Sequence, residues 1–597
     1  MHIPFKKQWA AVMLSGAALL AACTKALDQQ PQASATNAAV FGSEAGLKLY
    51  TTSLYDILPD INTPFRTDCN LSDFGAVTTV PDFIRTGVYT PQSEAADNWN
   101  WKPLRNVNYF IVNNVNPAIP QATRDNYTAI ARFFRAFFYF EKVKRYGDVP
   151  WISHPLAVDD SLLYAKRDSR VLVMDSVIAD LDWAASHIIA GEDATRSTIT
   201  QNVILGFKSR VCLFEGTFRK YRGDALPGST DLLTQAAAAA KAVMDGGKYS
   251  LNQGTLAYRN LFISPAPVSS EVMLANVASS TLGKYNDANW FYTSATYGNR
   301  FSFTRDFINT YLMTDGTPFT SIAGHDTMTL AHETQNRDLR LAQTIRTPGY
   351  TRINSGKVQA APPVFSYTYT AYQPIKWCLD DMTYDAGANN TNSIPVMRYA
   401  EILLNYAEAM DELNQMSATI WQQTIGALRT RAGIANANAM PTVIDPYMQS
   451  TYYPDVTKAT TMEIRRERAI ELALEGFRWM DLTRWAHGDL LLKKWNGMYV
   501  PALNVPMDLN ADGVMDVCFY KDTAPANPVA GVTYVNVGAT VGGVANPQRL
   551  SNDTYGELHW QDATSRTFQP FMYVYPLPLT ALQLNTNLTQ NEGWDKL

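Results

Sequence analysis

The segment from Asn126 to Tyr146 constrains the fold more than any other part of the chain. Its sequence is NYTAIARFFRAFFYFEKVKRY, in which Ile130, Phe133 and Phe137 recur at three- and four-residue spacing. This spacing places apolar side chains along one face of a helix, while basic residues share the opposite face. Gly147 follows directly, and glycine commonly ends a helix. The segment therefore predicts a long helix that packs a broad aromatic face.

Similar periodicity recurs directly after this helix and again towards the C-terminal end. The further predicted helices are Val171–Ile189, Val203–Arg219, Asp231–Asp245, Pro395–Leu413 and Met462–Trp485. Consecutive amphipathic helices of this kind predict stacked helix pairs. Residues 248–393 are rich in Thr, Ser, Asn, Tyr and Gly, and they predict loops and short strands, where recognition surfaces usually lie. We expect one mainly α body with a large irregular insertion rather than several separate domains.

The composition supports a large packed core. Of the 597 residues, 46% are hydrophobic, 12% are aromatic and only 18% are charged, with a formal net charge of −5. A chain of this kind is not disordered, and its modest Lys and Arg content makes nucleic acid an unexpected partner. Beyond Cys23, the cysteines stand singly in the sequence without metal-ligand spacing, so we expect core thiols. They are Cys69, Cys212, Cys378 and Cys518.

The first residues are predicted to be a processing signal. Lys6 and Lys7 precede an apolar stretch of about fourteen residues, whereas a membrane-spanning helix needs about twenty. The stretch ends in Leu-Ala-Ala-Cys, which is typical of a bacterial lipobox. Residues 1–22 would then be a signal peptide, and residues 23–37 would be a lipidated N-terminus, at Cys23, with a polar tether. The alternative is an ordinary signal peptide that happens to contain a cysteine.

Motifs that would indicate an enzyme are missing or incomplete. His332-Glu333 is not followed by the second histidine of a zinc helix, and neither a phosphate-binding loop nor a G-x-S-x-G motif occurs. Glu471 and Glu475 lie one helical turn apart, but a glycosidase needs carboxylates on opposite sides of the scissile bond. Arginines alternate with these acids, so we interpret the segment as a structural ion-pair ladder along one helix face.

One loop is similar to a calcium-binding turn. Its candidate ligands are Asp508, Asn510, Asp512 and Asp516. They place oxygen atoms at alternate positions around Gly513, which permits a sharp turn. Phe519 stands where an EF-hand has its bidentate glutamate, so an EF-hand itself is not supported. The loop is a candidate for a structural Ca²⁺, with a solvated Asx/Gly turn as the alternative, and no other cofactor is expected.

Several segments together resemble the SusD/RagB family of bacterial outer-membrane lipoproteins. In family order, they are LDQQP (27–31) after Cys23, ARFFRAFFYFEKVKRYGDVPWI (131–152), RDSR (167–170) leading to ADLD (179–182), the Ala-rich helix ending in GKY (247–249), IPVMRYAEILLNYAEA (394–409), EIRRERAIELALEGFRWMDLTRW (463–485) and the closing YPLP…NTNLTQNEGW. The resemblance implies a mainly α fold in which tetratricopeptide-like helix pairs support an irregular ligand-binding region. It also implies a single body, residues 38–597, composed of an N-terminal helical part (38–247), an insertion (248–393) and a C-terminal part (394–597).

The same resemblance implies a function without catalysis. A SusD-like protein captures an oligosaccharide at the cell surface and delivers it to a SusC-like TonB-dependent transporter. Its lipid anchor would hold it on the outer membrane, facing the cell exterior. Asp28 is the only acid near Cys23, which is a weak export signal, so the outward orientation rests on the family. The alternatives are a lipid-anchored lid or scaffold of the transporter that binds peptide or another nutrient, and, less favoured, a glycosidase.

Glycan sites combine flat aromatic side chains with Asn, Asp and Arg, because sugar rings present apolar C–H faces ringed by hydroxyls. In the family, such contacts come from loops in the first third of the chain and from the insertion. The corresponding candidates are Arg85, Asn98, Trp99, Asn289, Trp290, Tyr292 and Tyr297. Segment 289–297 is the stronger candidate, because its aromatic residues are not at core-helix spacing. Trp101 is expected in the core.

Overall fold

The computed structural model describes residues 37–189, 191–222 and 226–597. The predicted signal peptide, Cys23 and residues 24–36 of the predicted tether lie outside the described residues. In the first part of the chain the helices are α1 (Asn37–Phe41), α2 (Glu44–Ser53), α3 (Thr63–Asn70), α4 (Lys102–Asn113), α5 (Gln121–Tyr146), α6 (Arg170–His187), α7 (Gln201–Tyr221) and α8 (Ser229–Asp245). They are followed by α9 (Asn260–Ile263), α10 (Ala288–Tyr292), α11 (Arg305–Ile308), α12 (Leu330–Glu333), α13 (Leu341–Thr344), α14 (Tyr399–Glu412), α15 (Ala418–Trp421), α16 (Ala427–Arg431), α17 (Pro446–Thr451), α18 (Ala459–Glu471), α19 (Arg478–Arg484) and α20 (Leu579–Leu584).

The aromatic helix predicted from the sequence is α5, and it begins five residues earlier than predicted. Its apolar face is buried, and Phe137 stacks on Phe207 of α7 with ring centroids 5.2 Å apart. At Gly147 the backbone takes a φ of 71°, and the Gly147 N–H donates to the carbonyl of Val143. The helix therefore ends at the glycine because a positive φ is easy there and costly for most other residues.

Successive helices pack against one another through the chain. Helix α5 packs on α4 and α6, α6 on α7, α7 on α8, α8 on α14, and α14 on α18. Small residues allow the closest approach: a Cβ placed on Gly216 of α7 would lie 3.0 Å from Cγ of Leu233 in α8. The mainly α fold with stacked helix pairs is confirmed.

Short strands lie mainly in the insertion and the C-terminal part. They are β1 (Gly75–Ala76), β2 (Val272–Asn276), β3 (Ser302–Phe303), β4 (Thr351–Asn354), β5 (Lys357–Ala360), β6 (Ile394–Arg398), β7 (Trp495–Val500), β8 (Val517–Tyr520), β9 (Thr533–Asn536), β10 (Thr540–Val541), β11 (Val544–Ala545), β12 (Gln548–Leu550) and β13 (Gly556–Trp560). They form small sheets with the pairings β1-β3, β2-β6, β4-β5, β8-β9, β10-β11 and β12-β13-β7. Only β8-β9 of these pairs is parallel.

Two helix predictions near the C-terminal end are wrong in part. The helix predicted over Pro395–Leu413 is strand β6 up to Arg398, because this segment pairs antiparallel with β2, and α14 begins only at Tyr399. The helix predicted over Met462–Trp485 is two helices, α18 and α19. Leu474 and Gly476 between them have φ of 62° and 84°, values that a right-handed helix does not accommodate.

The core forms two large apolar clusters. The first gathers side chains from α2, α4 to α8 and α14, and the second gathers side chains from the insertion and the C-terminal part. Phe65 of α3 belongs to the second cluster, so α3 lies where the two halves of the molecule meet. The four cysteines beyond Cys23 are buried and free, as expected of core thiols. No helix in the described ranges is long and apolar enough to cross a bilayer.

Candidate functional site

A pair of stacked aromatic rings lies at the surface of the insertion. The rings of Trp290 and Tyr297 have centroids 3.6 Å apart and planes inclined by 10°. Both side chains are half-buried, so part of their aromatic surface is accessible. We call these two residues the platform. A flat apolar surface of this kind can hold the C–H face of a sugar ring.

A tight turn holds the platform together. Trp290 is on the short helix α10, and the chain turns back at Gly298, where φ is 73°. A Cβ at Gly298 would lie only 2.4 Å from the carbonyl oxygen of Phe291, so only glycine fits this approach. The Ser294 hydroxyl accepts the backbone N–H of Tyr297 at 3.0 Å. These contacts bring the Tyr297 ring over the Trp290 ring.

Two charged residues support the edge of the platform. The Tyr297 hydroxyl donates to Oδ2 of Asp287 at 2.6 Å, and Arg66 of α3 donates to the Tyr297 oxygen at 2.9 Å and forms an ion pair with Asp287. Asp287 is 4% exposed, and its Oδ1 has no hydrogen-bond partner among the described residues. Burial alone would lower the pKa of Arg66, but hydrogen bonding to Asp287 and its charge raise it above its usual value. The guanidinium therefore stays charged beside the rings.

The other two candidates of this segment lie in the core. Tyr292 is 2% exposed, and its hydroxyl donates to the carbonyl of Phe65 at 2.7 Å. Asn289 is fully buried, and its carboxamide pairs with the backbone of Leu379, accepting from N–H at 2.7 Å and donating to the carbonyl at 2.9 Å. Both side chains are therefore used in buried hydrogen bonds rather than presented to a ligand.

The candidates from the first third of the chain make contacts of their own, apart from those of the platform. Arg85 pairs with Asp82 on the surface, and Asn98 is exposed. Trp99 packs edge-on against Trp101 at 5.2 Å, so its ring is held by the helical part. In the described part of the chain, no hydrogen bond, ion pair or ring contact joins these residues to the platform.

Sequence reasoning missed Arg66 and Asp287. Asp287 lies two residues before the candidate segment 289–297, so its closeness in sequence was a usable signal. Arg66 comes from a helix 221 residues away, and nothing in its local sequence marks it. Long-range pairs of this kind appear only when the tertiary structure brings two elements together.

Glu471 and Glu475, the acids considered as a hydrolytic pair, form ion pairs with buried arginine and lysine side chains. Glu471 accepts from Arg340 at 2.7 Å and from Arg398 at 2.6 Å, and it also pairs with Arg431. Glu475 pairs with Lys376 at 2.6 Å. The structural ion pairs are confirmed, but the ladder along one helix face is wrong. The chain leaves the helix after Glu471, so the partners come from other segments.

In the loop over residues 508–516, the carboxylates accept hydrogen bonds from backbone N–H groups of the same loop. Asp508 accepts the N–H of Gly513 at 2.8 Å, and Asp516 accepts the N–H of Leu509 at 2.8 Å. Asn510 donates to Asp512 at 3.0 Å, while its buried Oδ1 has no partner within the described residues. Among those residues, no three or more His, Cys, Asp or Glu side chains are grouped as metal ligands. The calcium site stays a prediction.

Two family profiles match consecutive parts of the chain. The SusD family profile matches residues 270–594, which is more than half of the chain. A profile described as "Starch-binding associating with outer membrane" matches residues 44–207. The chain therefore belongs to the SusD family, as its motifs indicated.

Individual relatives and solved structures agree with this assignment. SusD-like protein P2 of Formosa agariphila is 24% identical over 409 residues, which cover 64% of this chain and 71% of the relative. A SusD-like protein from Bacteroides fragilis superposes with a TM-score of 0.67 at 20% identity, covering 94% of this chain and 98% of that one. A SusD-like carbohydrate binding protein from the same organism has a TM-score of 0.66 at 20% identity, covering 92% and 100%. At these identities the structural likeness shows the fold.

Proposed function

We propose that the protein is a non-catalytic, cell-surface lipoprotein that binds an oligosaccharide on the Trp290–Tyr297 platform and delivers it to a SusC-like TonB-dependent transporter. The observation that carries the proposal is the accessible ring stack, with its centroid separation of 3.6 Å, supported at its edge by Arg66 and Asp287. The family's starch-binding description and one structural neighbour, described as a carbohydrate binding protein, support the same ligand class.

The geometry suits a sugar ring in two ways. The aromatic surface packs against the apolar C–H face of the ring, and this contact is insensitive to the direction of the hydroxyls. Arg66 keeps 32% of its side chain exposed, so its guanidinium can donate to ring hydroxyls at the platform edge. Asp287 holds both Arg66 and Tyr297 in place, so that less conformational entropy is lost on binding.

Membrane attachment and transport complete the proposal. The predicted lipobox at Cys23 would anchor the protein, and the family description associates these proteins with the outer membrane. A bound oligosaccharide held beside a transporter is presented at high effective concentration. We propose binding without hydrolysis, because Glu471 and Glu475 are already used in buried ion pairs.

A glycan array, followed by isothermal titration calorimetry with the best ligand, tests the proposal. We expect Trp290→Ala to weaken binding by about tenfold or more, since it removes half of the stacked pair. Trp183→Ala is the matched control, because Trp183 is also half-buried and stacks on His187 at 3.9 Å with planes inclined by 10°. It should bind as the wild type does.

Three results would contradict the proposal. Binding that survives Trp290→Ala unchanged would remove the platform as the site. Absence of any glycan binding, with capture of peptide or stable co-purification with a transporter, would favour the lid or scaffold function. Turnover of a polysaccharide by the purified protein would show an enzyme.

A further inference from the structure

A second opening, which we call the α5 cleft, lies between the C-terminal half of α5 and helix α19. Its cavity volume is about 670 Å³, within the range of roughly 300–1,000 Å³ typical of small-molecule sites. Its lining includes Phe137 and Phe138 of α5, Trp479 of α19, and Tyr575. The Tyr575 ring is stacked on Phe83 at 4.5 Å and has the Arg145 guanidinium 3.9 Å from its centroid, so the accessible aromatic surface comes from half-buried Trp479.

The exposed residues at the rim of the cleft are mainly short and polar. They are Asp56, Asn70, Asp97, Asn98 and Asn100, together with the longer Glu141. Carboxylate and carboxamide groups accept or donate paired hydrogen bonds, which fits neighbouring hydroxyl groups on a sugar. Thr483 adds an unsatisfied group in the wall, because it is 3% exposed and its hydroxyl has no hydrogen-bond partner in the described part of the chain.

The cationic groups of the cleft already have partners. Lys144 pairs with Glu141 at 2.8 Å, and Arg145 pairs with Glu94 at 2.6 Å. The ammonium of Lys142 donates to the backbone carbonyl of Asn98, and burial lowers the pKa of Lys142 to about 8. Little uncompensated positive charge is left to recognise a phosphate or an acidic peptide. A neutral, hydroxyl-rich ligand fits the cleft better.

Helix α3 connects the cleft with the platform. Thr63, Arg66, Thr67 and Asn70 fall at the spacing of one helix face, and they are the residues of α3 that are not buried. Arg66 on this face supports the platform, while Thr67 and Asn70 line the cleft. The two sites therefore share one exposed helix face.

We infer that the α5 cleft is a second glycan subsite, continuous with the platform across α3, so that the preferred ligand is a neutral oligosaccharide long enough to reach both. This inference rests on the proposed glycan function. It makes chain length, rather than one terminal sugar, the property that the protein recognises.

The test measures affinity against ligand length by calorimetry. The probes are two neutral ladders of one to eight sugar units, maltooligosaccharides and laminari-oligosaccharides. Wild-type affinity should rise by about tenfold or more from the short to the long members of the ladder that binds. Asn70→Trp, which places an indole in the cleft, should keep the affinity for short members and lose this gain.

A milder variant and a control distinguish loss of the subsite from misfolding. Asn70→Ala/Asp97→Ala removes two exposed rim groups and should reduce the gain with length. The control, Asp159→Ala/Asn527→Ala, removes an equivalent pair of exposed side chains outside the cleft and should retain the gain.

The outcomes separate the two proposals. If Trp290→Ala abolishes binding while both cleft variants retain the length dependence, the cleft is not a subsite and the platform function stands. Loss of transporter co-purification in Asn70→Trp, with unchanged glycan affinity, would assign the cleft to a protein partner and overturn the inference. If no member of either ladder and no glycan of the array binds the wild type, the proposed oligosaccharide binding and the second subsite both fail.

Discussion

Asp287 connects the two parts of the chain that meet at the platform. Its side chain is buried, it accepts the Tyr297 hydroxyl at 2.6 Å, and it pairs with Arg66 from α3. Hydrogen bonds to a charged group are stronger than neutral ones, particularly where water is excluded. One carboxylate therefore fixes both the ring position and the cation beside it.

Replacing this carboxylate tests its role. Asp287→Asn keeps the shape but removes the charge, so we expect a loss of about 1–2 kcal/mol in the free energy of unfolding and weaker glycan binding. Urea unfolding and calorimetry measure the two effects. Asp82→Asn is the control, since Asp82 pairs with Arg85 while 63% of its side chain is exposed, and such pairs contribute about 0–1 kcal/mol. Equal effects of the two substitutions would contradict the anchoring role.

At the scale of elements, two turns determine which side chains the insertion and the C-terminal part expose at the surface. The turn that follows α10 closes at Gly298 and brings Tyr297 over Trp290. The loop over residues 508–516 instead folds its carboxylates onto its own backbone N–H groups. The first turn therefore forms the aromatic platform at the surface, whereas the second forms the loop in which a calcium ion is predicted.

A pair of glycine substitutions separates backbone strain from steric clash. Gly298→Ala meets both a φ of 73° and a Cβ contact of 2.4 Å, whereas Gly283→Ala meets only a φ of 61° in open space. We expect Gly283→Ala to cost about 1–2 kcal/mol from the left-handed conformation and Gly298→Ala to cost more. Only Gly298→Ala should weaken glycan binding, as measured by calorimetry. Similar binding by both variants would show that the turn does not set the ring positions.

The loop over residues 508–516 makes a prediction about metal and pH. Burial, together with the charges of Asp512 and Asp508, raises the pKa of Asp516 to about 6. Because this lies above the unfolded value of about 3.9, the unbound protein should lose stability as pH rises from about 4 to 6. Added Ca²⁺ should offset this loss, raising Tm at pH 7 more than at pH 5.

Thermal unfolding of chelator-stripped protein, with and without CaCl₂, checks this prediction. Asp516→Asn removes the titrating group, so it should remove both the pH-dependent loss and much of the calcium response. A Tm that is unchanged by CaCl₂, together with no heat of binding in calorimetry, would leave the loop as a solvated turn.

At the scale of the whole molecule, a buried ionic network joins segments that are far apart in sequence. Glu471 at the end of α18 contacts Arg340 from the insertion, Arg398 from β6 and Arg431 from α16. Burial alone would raise the pKa of Glu471, but the charges of Arg431, Arg398 and Arg340 hold it well below its usual value. The carboxylate therefore stays ionised and ties the insertion to the C-terminal part.

Removing this charge should destabilise the whole protein. Glu471→Gln leaves three buried guanidiniums with one carboxylate fewer, and breaking such a buried pair costs about 3–5 kcal/mol. Glu141→Gln is the control, because Glu141 pairs with Lys144 while 48% of its side chain is exposed, and it should cost less than about 1 kcal/mol. Urea unfolding followed by tryptophan fluorescence compares them, and similar costs would contradict the structural role of the network.

The sequence by itself determined the helical scaffold and the family. Local periodicity identifies α5, α6, α7 and α8, because a helix buries one face at a spacing that the sequence displays directly. The same local reasoning fails at Pro395–Arg398 and at Leu474–Gly476. There, pairing with β2 and a positive φ override the helical pattern.

Only the tertiary structure decided which aromatic residues face solvent. Trp290 and Tyr292 are two residues apart, yet one is half-buried in the platform while the other is 2% exposed and bonded to Phe65. The arrival of Arg66 from α3 and the shared face of α3 between platform and cleft are equally invisible in the sequence. Burial and long-range ion pairs depend on which distant segments pack together, and spacing along the chain does not encode that choice.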